Sequence, residues 1–148
     1  MVSAPLPAAA LKESDSKARL RLWIRLLRAS RLIESVARER LKAQFNATLP
    51  RFDVMAALYR KPDGMLMSEI SRFLMVSNGN VTGIVDRLVS DGFVVRAQRK
   101  GDRRTSFISL TRKGRTAFAD MAAAHERWVA EQLSAKLKAF RSDWEGEA

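Results

Sequence analysis

The stretch MLMSEISRFLMVSNGNVTGIVDRLVSDGFV, residues 65–94, decides the fold. It divides into two short helices. Ile70, Phe73 and Leu74 form the inward side of the first, a turn around Met75 and Val76 closes it, and Ser77 caps the second with Asn80 three residues on. Val81, Ile84, Val85 and Leu88 recur at helical spacing and make the buried stripe of the second helix, which Gly92 follows as the residue past its end. Burying that stripe leaves Asn78, Gly79, Asn80, Thr82, Gly83, Asp86 and Arg87 on the outside. A helix entering the major groove of DNA needs short side chains where its backbone comes close, and amide, hydroxyl or guanidinium groups to meet base edges. Gly79 and Gly83 each cost about 1 kcal/mol against Ala inside a helix, so they call for close approach either to DNA or to another helix.

Working outward, residues 93–98 and 106–110 are β-rich runs, and the RKGDRRT between them makes an antiparallel hairpin. At its tip Arg99, Lys100, Arg103 and Arg104 surround a single carboxylate, Asp102, with Thr105 on the return. One Asp paired to one Arg stiffens the tip and aims the other outward, where the negative potential of a narrow minor groove attracts it. Residues 96–115 hold eight basic groups against one acidic, the densest part of a chain with net charge +11. Two short helices followed by a basic hairpin make a winged helix-turn-helix.

Long helices flank this unit. Between residues 17 and 45, with no Gly or Pro, apolar Leu20, Ile24, Leu27, Ile33, Val36, Leu41 and Phe45 recur at threes and fours. The opposite side carries Arg21, Arg25, Arg28, Arg31, Ser35, Arg38 and Lys42 as a basic stripe. Pro50, at a first helical position, opens a helix that Pro62-Asp63-Gly64 ends. Thr111 caps a last helix whose face is Phe118, Met121, Ala122, His125, Val129, Leu133 and Leu137, continued by Phe140 and Trp144. Trp128 and Trp144 read as anchors of an interface. The expected division is a disordered tail at 1–16, a DNA-binding part at 50–110, and dimerisation helices at 17–48 and 112–148.

A chain of 148 residues is one domain. With no cysteine and one histidine, His125, it has no Cys-ligated metal, no thiol nucleophile and no histidine pair for a metal site, and no phosphate loop of the G-x-x-x-x-G-K type occurs. This reading is of a protein that is not an enzyme and uses no cofactor or metal. The opening residues lack the basic start and apolar centre of a signal peptide, and no run approaches a bilayer span, so a cytoplasmic protein without a membrane partner is expected.

The stretch 67–88, the wing sequence GDRRT and the Leu110-Thr111-Arg112-Lys113-Gly114 junction resemble the MarR family of bacterial transcription regulators. The resemblance runs from about Trp23 to His125. It implies a mainly α winged helix-turn-helix fold with a small antiparallel hairpin wing, in a homodimer whose terminal helices interleave. The second helix of the motif then reads the major groove of double-stranded DNA and the wing tip enters the minor groove. Candidate contacts are Ser68 and Arg72 on the first helix, Ser77, Asn78, Gly79, Asn80, Thr82, Gly83 and Arg87 on the second, and Arg99, Lys100, Asp102, Arg103, Arg104 and Thr105 in the wing. One departure is the place of the usual polar cap before the first helix, held here by Leu66 or Met67 unless Ser68 supplies it.

Such proteins mostly repress genes from an inverted repeat and release DNA when a small molecule settles between the dimerisation helices and the winged part. RLWIRLLRASRLIE (21–34) and LPRFDVMAALYR (49–60) look like a subgroup associated with aromatic carboxylates and hydroxycinnamate-type compounds, some as coenzyme A thioesters. Arg21, Arg25, Arg28 or Arg51 would then meet a carboxylate or phosphates, and Trp23, Phe52, Met55 and Met65 would line an apolar cleft, with His125 beside them. Trp23 and the Met residues as ordinary core or dimer packing is the competing reading, as is His125 as a hydrogen-bonded core or interface residue. The alternative function is a sequence-nonspecific nucleic-acid-binding or architectural protein that uses the positive field alone.

Overall fold

Thirty-three residues free of Gly and Pro wind into α1 (Glu13–Phe45), which starts inside the stretch expected as a tail. The computed structural model describes residues 13–98 and 105–145, with backbone alone for 13–14 and 140–145. Asn46, in the left-handed region at φ 50°, reverses the chain, and its side-chain oxygen accepts from Lys42 Nζ at 2.9 Å. Thr48 caps α2 (Leu49–Tyr59) by accepting from the Arg51 N–H. Pro50 is the second helical residue rather than the first, and there too its missing N–H has no helical acceptor to lose.

Gly64, at φ +95°, turns the chain into β1 (Met65–Leu66), followed by α3 (Met67–Leu74), α4 (Asn78–Ser90), β2 (Val94–Gln98), β3 (Ser106–Leu110) and α5 (Arg112–Glu145). The expected hairpin forms as β2 and β3, and β1 adds a third strand to it. The antiparallel sheet runs β1-β3-β2, with Met65 opposite Ile108 and Arg96 opposite Ile108 on the other side. Leu66 caps α3 without a side-chain acceptor, and Glu69 compensates by accepting from the Leu66 N–H; Ser68 is not the cap.

The turn between α3 and α4 departs from expectation in one side chain. Met75 takes the left-handed conformation and is 91% exposed, while Phe73 is 55% exposed instead of facing inward. Eight residues give α3 room for a narrow buried stripe, which Ile70 and half-buried Leu74 occupy. Ser71, itself buried, donates its hydroxyl to the Val76 carbonyl and so satisfies the turn. Ser77 accepts from the Asn80 N–H as the cap of α4, and Gly92, at φ +78°, follows its end.

The core sits where α2, α4, the sheet and α5 meet. Leu41, Val54, Leu58, Ile70, Val81, Val85, Leu88, Val94 and Ile108 are fully enclosed, and Phe118, Met121, Ala124 and Trp128 close it from α5. Trp128 is 5% exposed within the single chain, packed on Phe45 at 6.4 Å with the Arg40 guanidinium over its ring, so it holds α1 to α5 rather than anchoring an interface. The Phe140 and Trp144 side chains lie outside the described residues.

The joint between α4 and α5 is dense. Thr111 donates its hydroxyl to the Gly92 carbonyl at 2.7 Å and accepts from the Gly114 N–H at 3.0 Å, and Lys113 Nζ donates to the Asp91 carbonyl at 2.8 Å. Gly114 is required here, because a Cβ at this position would lie 2.0 Å from the Phe93 carbonyl oxygen.

Candidate nucleic-acid interface

The outward arc of α4 has two edges. Asn78, Thr82 and Asp86 form one, and Asp86 accepts a charge-assisted hydrogen bond from Arg96 on β2, so this edge faces the wing. Thr82 donates its hydroxyl to the Asn78 carbonyl at 2.8 Å, leaving an acceptor oxygen and a methyl group outward. Gly79, Gly83 and Arg87 form the other edge, with Asn80 near its start, and they open onto a cleft of about 770 Å³. Across it stand Arg38 and Lys42 from α1 and the start of α2 with Thr48 and Arg51.

Every residue of the arc is exposed, and nothing lies within 4 Å of where a Cβ would stand on Gly79 or Gly83. Packing against another helix of this chain therefore does not explain these glycines. The arrangement displays amide, hydroxyl and guanidinium groups on a rigid helix, which is the chemistry that reads base edges. Arg87 lies 3.6 Å from Asp91, one turn on, and this exposed pair holds the arginine along the helix.

Ser68 and Arg72 are exposed on α3, and Ser77 is exposed as the cap of α4. Thr105 is half-buried just before β3. Arg99, Lys100, Asp102, Arg103 and Arg104 lie outside the described residues; the strands that carry them, β2 and β3, are paired over their full length from Val94↔Leu110 to Gln98↔Ser106.

The candidate effector residues are not gathered into one cleft. Arg21, Trp23, Arg25 and Arg28 are exposed on the first half of α1, whereas Phe52, Met55 and Met65 are buried in the core. Arg51 bridges the large cleft and a smaller one of about 200 Å³ walled by Phe45, Met55, Phe93 and Met121. His125 is half-buried with its ring 4.8 Å from that of Phe52, at the edge of a third cleft that also holds Glu34 and Asp53. Sequence reasoning missed Arg38 and Lys42 as neighbours of α4. Their signal was the basic stripe, whose last two members line the same cleft as one edge of α4.

Burial, and secondarily the Glu34 carboxylate, raises the Asp53 pKa above the ordinary carboxylate value, and burial lowers that of His125. Asp53 therefore costs stability in full above its raised pKa, and this cost is gone below the ordinary carboxylate value. The His125 penalty has the opposite sense, growing as pH falls below the ordinary imidazole value. Asp53→Asn is expected to raise the melting temperature at pH 8, with the difference from wild type shrinking towards pH 4 in thermal melts followed by circular dichroism. A difference that stays constant with pH would contradict this.

Comparison with known proteins agrees with the fold. The model of the MarR family matches residues 47–106, from the start of α2 into β3. The transcriptional activatory protein BadR of Rhodopseudomonas palustris is 31% identical over 69% of this chain, and the match spans 60% of BadR. A MarR family transcriptional regulator from Silicibacter pomeroyi is 34% identical, with a TM-score of 0.67 over 93% of this chain and the whole of that one. Two solved structures of lower identity share the fold. Sco3205 of Streptomyces coelicolor, in complex with DNA, is 19% identical with a TM-score of 0.72 over 97% of this chain and 88% of its own. CouR of Rhodococcus jostii, bound to p-coumaroyl-CoA, is 16% identical with a TM-score of 0.67 over 84% and 88%. From the helix pair, the wing and these relatives together, the chain belongs to the MarR family and is a transcriptional regulator of the winged helix-turn-helix type.

Proposed function

We propose that the protein acts as a homodimeric repressor on an inverted-repeat operator and is released by a small aromatic carboxylate or its coenzyme A thioester. The observation that carries the DNA-reading part is the α4 arc, polar and glycine-bearing, exposed along its length and flanked by the β2–β3 wing. Leu20, Leu22, Trp23, Ile24 and Leu26 on α1 and Leu133 and Leu137 on α5 are exposed apolar residues on the two helices assigned to dimerisation. A second copy covering them supports the dimer and a palindromic site.

For the effector, the small cleft sets Arg51 beside the apolar Phe45, Met55, Phe93 and Met121, a pairing that suits an aromatic acid if its carboxylate meets Arg51 rather than Asp91 or Asp120 on the same lining. The His125 cleft suits it less, since Glu34 and Asp53 line it with no arginine or lysine among its described walls. CouR, whose structure holds p-coumaroyl-CoA, has the same fold and so supports the thioester as a member of the class.

Selection of bound duplexes from a random pool at about 150 mM salt tests this reading, because nonspecific phosphate attraction is already weak there. An inverted repeat with half-sites about one helical turn apart is expected. Asn80→Ala and Thr82→Ala should each relax preference at single base pairs by about 1–3 kcal/mol, read by repeating the selection. No enrichment by folded protein would favour the nonspecific architectural reading. Release of the selected duplex by benzoate, p-coumarate or their thioesters in a gel-shift titration identifies the effector, and a reporter gene gives the sign of regulation.

A further inference from the structure

The two edges of α4 look onto different surroundings. The 78–82–86 edge meets the wing through Asp86 and Arg96, and the 79–83–87 edge opens onto the cleft whose far wall carries Arg38, Lys42 and Arg51. A helix seated in the major groove, about 12 Å wide, lies between two phosphate backbones, one along each edge. We propose that this cleft is a second phosphate-binding surface, in which Arg38 and Lys42 of α1, with Arg51 of α2, grip the DNA strand opposite the one met by the wing. The inference rests on α4 being the groove-reading helix.

Charge and shape support it. No carboxylate lines the cleft, and it is an open trough rather than an enclosed cavity, suited to the edge of a polymer. Gly79 and Gly83 leave two turns of the helix edge without side chains, so a strand can pass close beside α4 there. The present partners of the α1 cations are readily exchanged. Arg38 pairs with Glu34 at 3.1 Å on an exposed helix surface, and Lys42 donates to the neutral Asn46 side chain. Exposed pairs of that kind contribute little, whereas a phosphate offers a full negative charge and three or more lone pairs. The cations thus extend the DNA contact beyond the helix-turn-helix and wing, into the helix otherwise assigned to dimerisation.

The test is the full-length double variant Arg38→Ala/Lys42→Ala, compared with wild type on the selected operator across a series of salt concentrations. Both residues are exposed, and a thermal melt checks that the variant is folded. Loss of two phosphate contacts per protomer should make the slope of log affinity against log salt shallower by about 1.8 per protomer, with affinity about tenfold or more lower at low salt. Phosphate-ethylation interference should lose its signals on one strand bordering each half-site groove and keep those near the wing. The sequence selected from a random pool should be unchanged, since phosphate contacts carry no base preference. An unchanged slope and an unchanged ethylation pattern would overturn the proposal. It would also fall if the variant bound DNA normally but no longer responded to an anionic thioester, which would make the cleft a small-molecule site. Failure of the underlying reading is separate: wild type would then select no sequence at all. If wild type selects an operator and Thr82→Ala relaxes its preference while the double variant keeps its slope, the clamp alone is wrong.

Discussion

Gly114→Ala is expected to lower stability by about 3 kcal/mol or more, at or beyond the upper end of ordinary overpacking, and the melting temperature by about 10 °C. The added Cβ would lie 2.0 Å from the Phe93 carbonyl oxygen and 2.8 Å from its carbon, both backbone atoms that no rotamer change can move aside. That carbonyl also accepts from the Thr111 N–H at 3.0 Å, so retreat of β2 from α5 breaks the joint that caps the last helix. Gly83→Ala is the matching control. Its Cβ meets nothing within 4 Å, so the substitution should stabilise the helix by about 1 kcal/mol while weakening operator binding, because the methyl stands on an edge of the reading arc. Thermal melts and operator titrations of the two variants should therefore move in opposite senses for stability. A Gly114→Ala protein melting within about 2 °C of wild type would refute the close approach.

Trp128→Ala should cost about 3–5 kcal/mol, the range for truncating a buried aromatic. The indole is enclosed between α1 and α5, 6.4 Å from the Phe45 ring at 55°, and Arg40 lies 5.9 Å from its centre while pairing with Glu131 at 3.2 Å. Its removal opens a cavity at the seam that holds the long first helix to the long last one. Because these partners belong to the same chain, the fall in melting temperature should be the same at every protein concentration. A fall that deepens on dilution would place Trp128 between subunits instead, since only an intersubunit contact follows mass action.

Helix caps and turns are legible in a sequence because their chemistry is local. Ser77, Gly92 and Thr111 each act within a few residues or at a position that demands a positive φ, and each does in the structure what its residue type announces. The exposed arc of α4 is legible for a related reason, since one amphipathic helix defines its own outside once its stripe is buried. What escapes local reading depends on distant partners. The two residues of β1 carry no periodicity, and only their pairing with β3 makes them a strand. Phe73 fits the helical spacing of Ile70 and Leu74, yet the neighbours that would cover it are absent from its side of α3. Trp128 reads from sequence as an interface residue because nothing in a helix's own sequence distinguishes a groove on the same chain from one on another. The spread of the candidate effector residues over α1 and the core is illegible on the same ground: helical spacing places Trp23 on a face of α1 but does not say what stands opposite.

The joint at Thr111 and Gly114 gives α5 the properties of a lever arm. Thirty-four helical residues extend about 51 Å, and hydrogen bonds from Thr111 and Lys113 fasten one end of that rod to the end of α4. With the other end held fixed, a tilt of about 5° sweeps the fastened end through roughly 4 Å, more than the spacing of adjacent base pairs. Hydrogen bonds to base edges tolerate only a few tenths of an ångström. Angular play at the remote end of α5 is thereby magnified into a shift of α4 larger than a base-edge hydrogen bond would survive, with every bond inside the helix-turn-helix left intact.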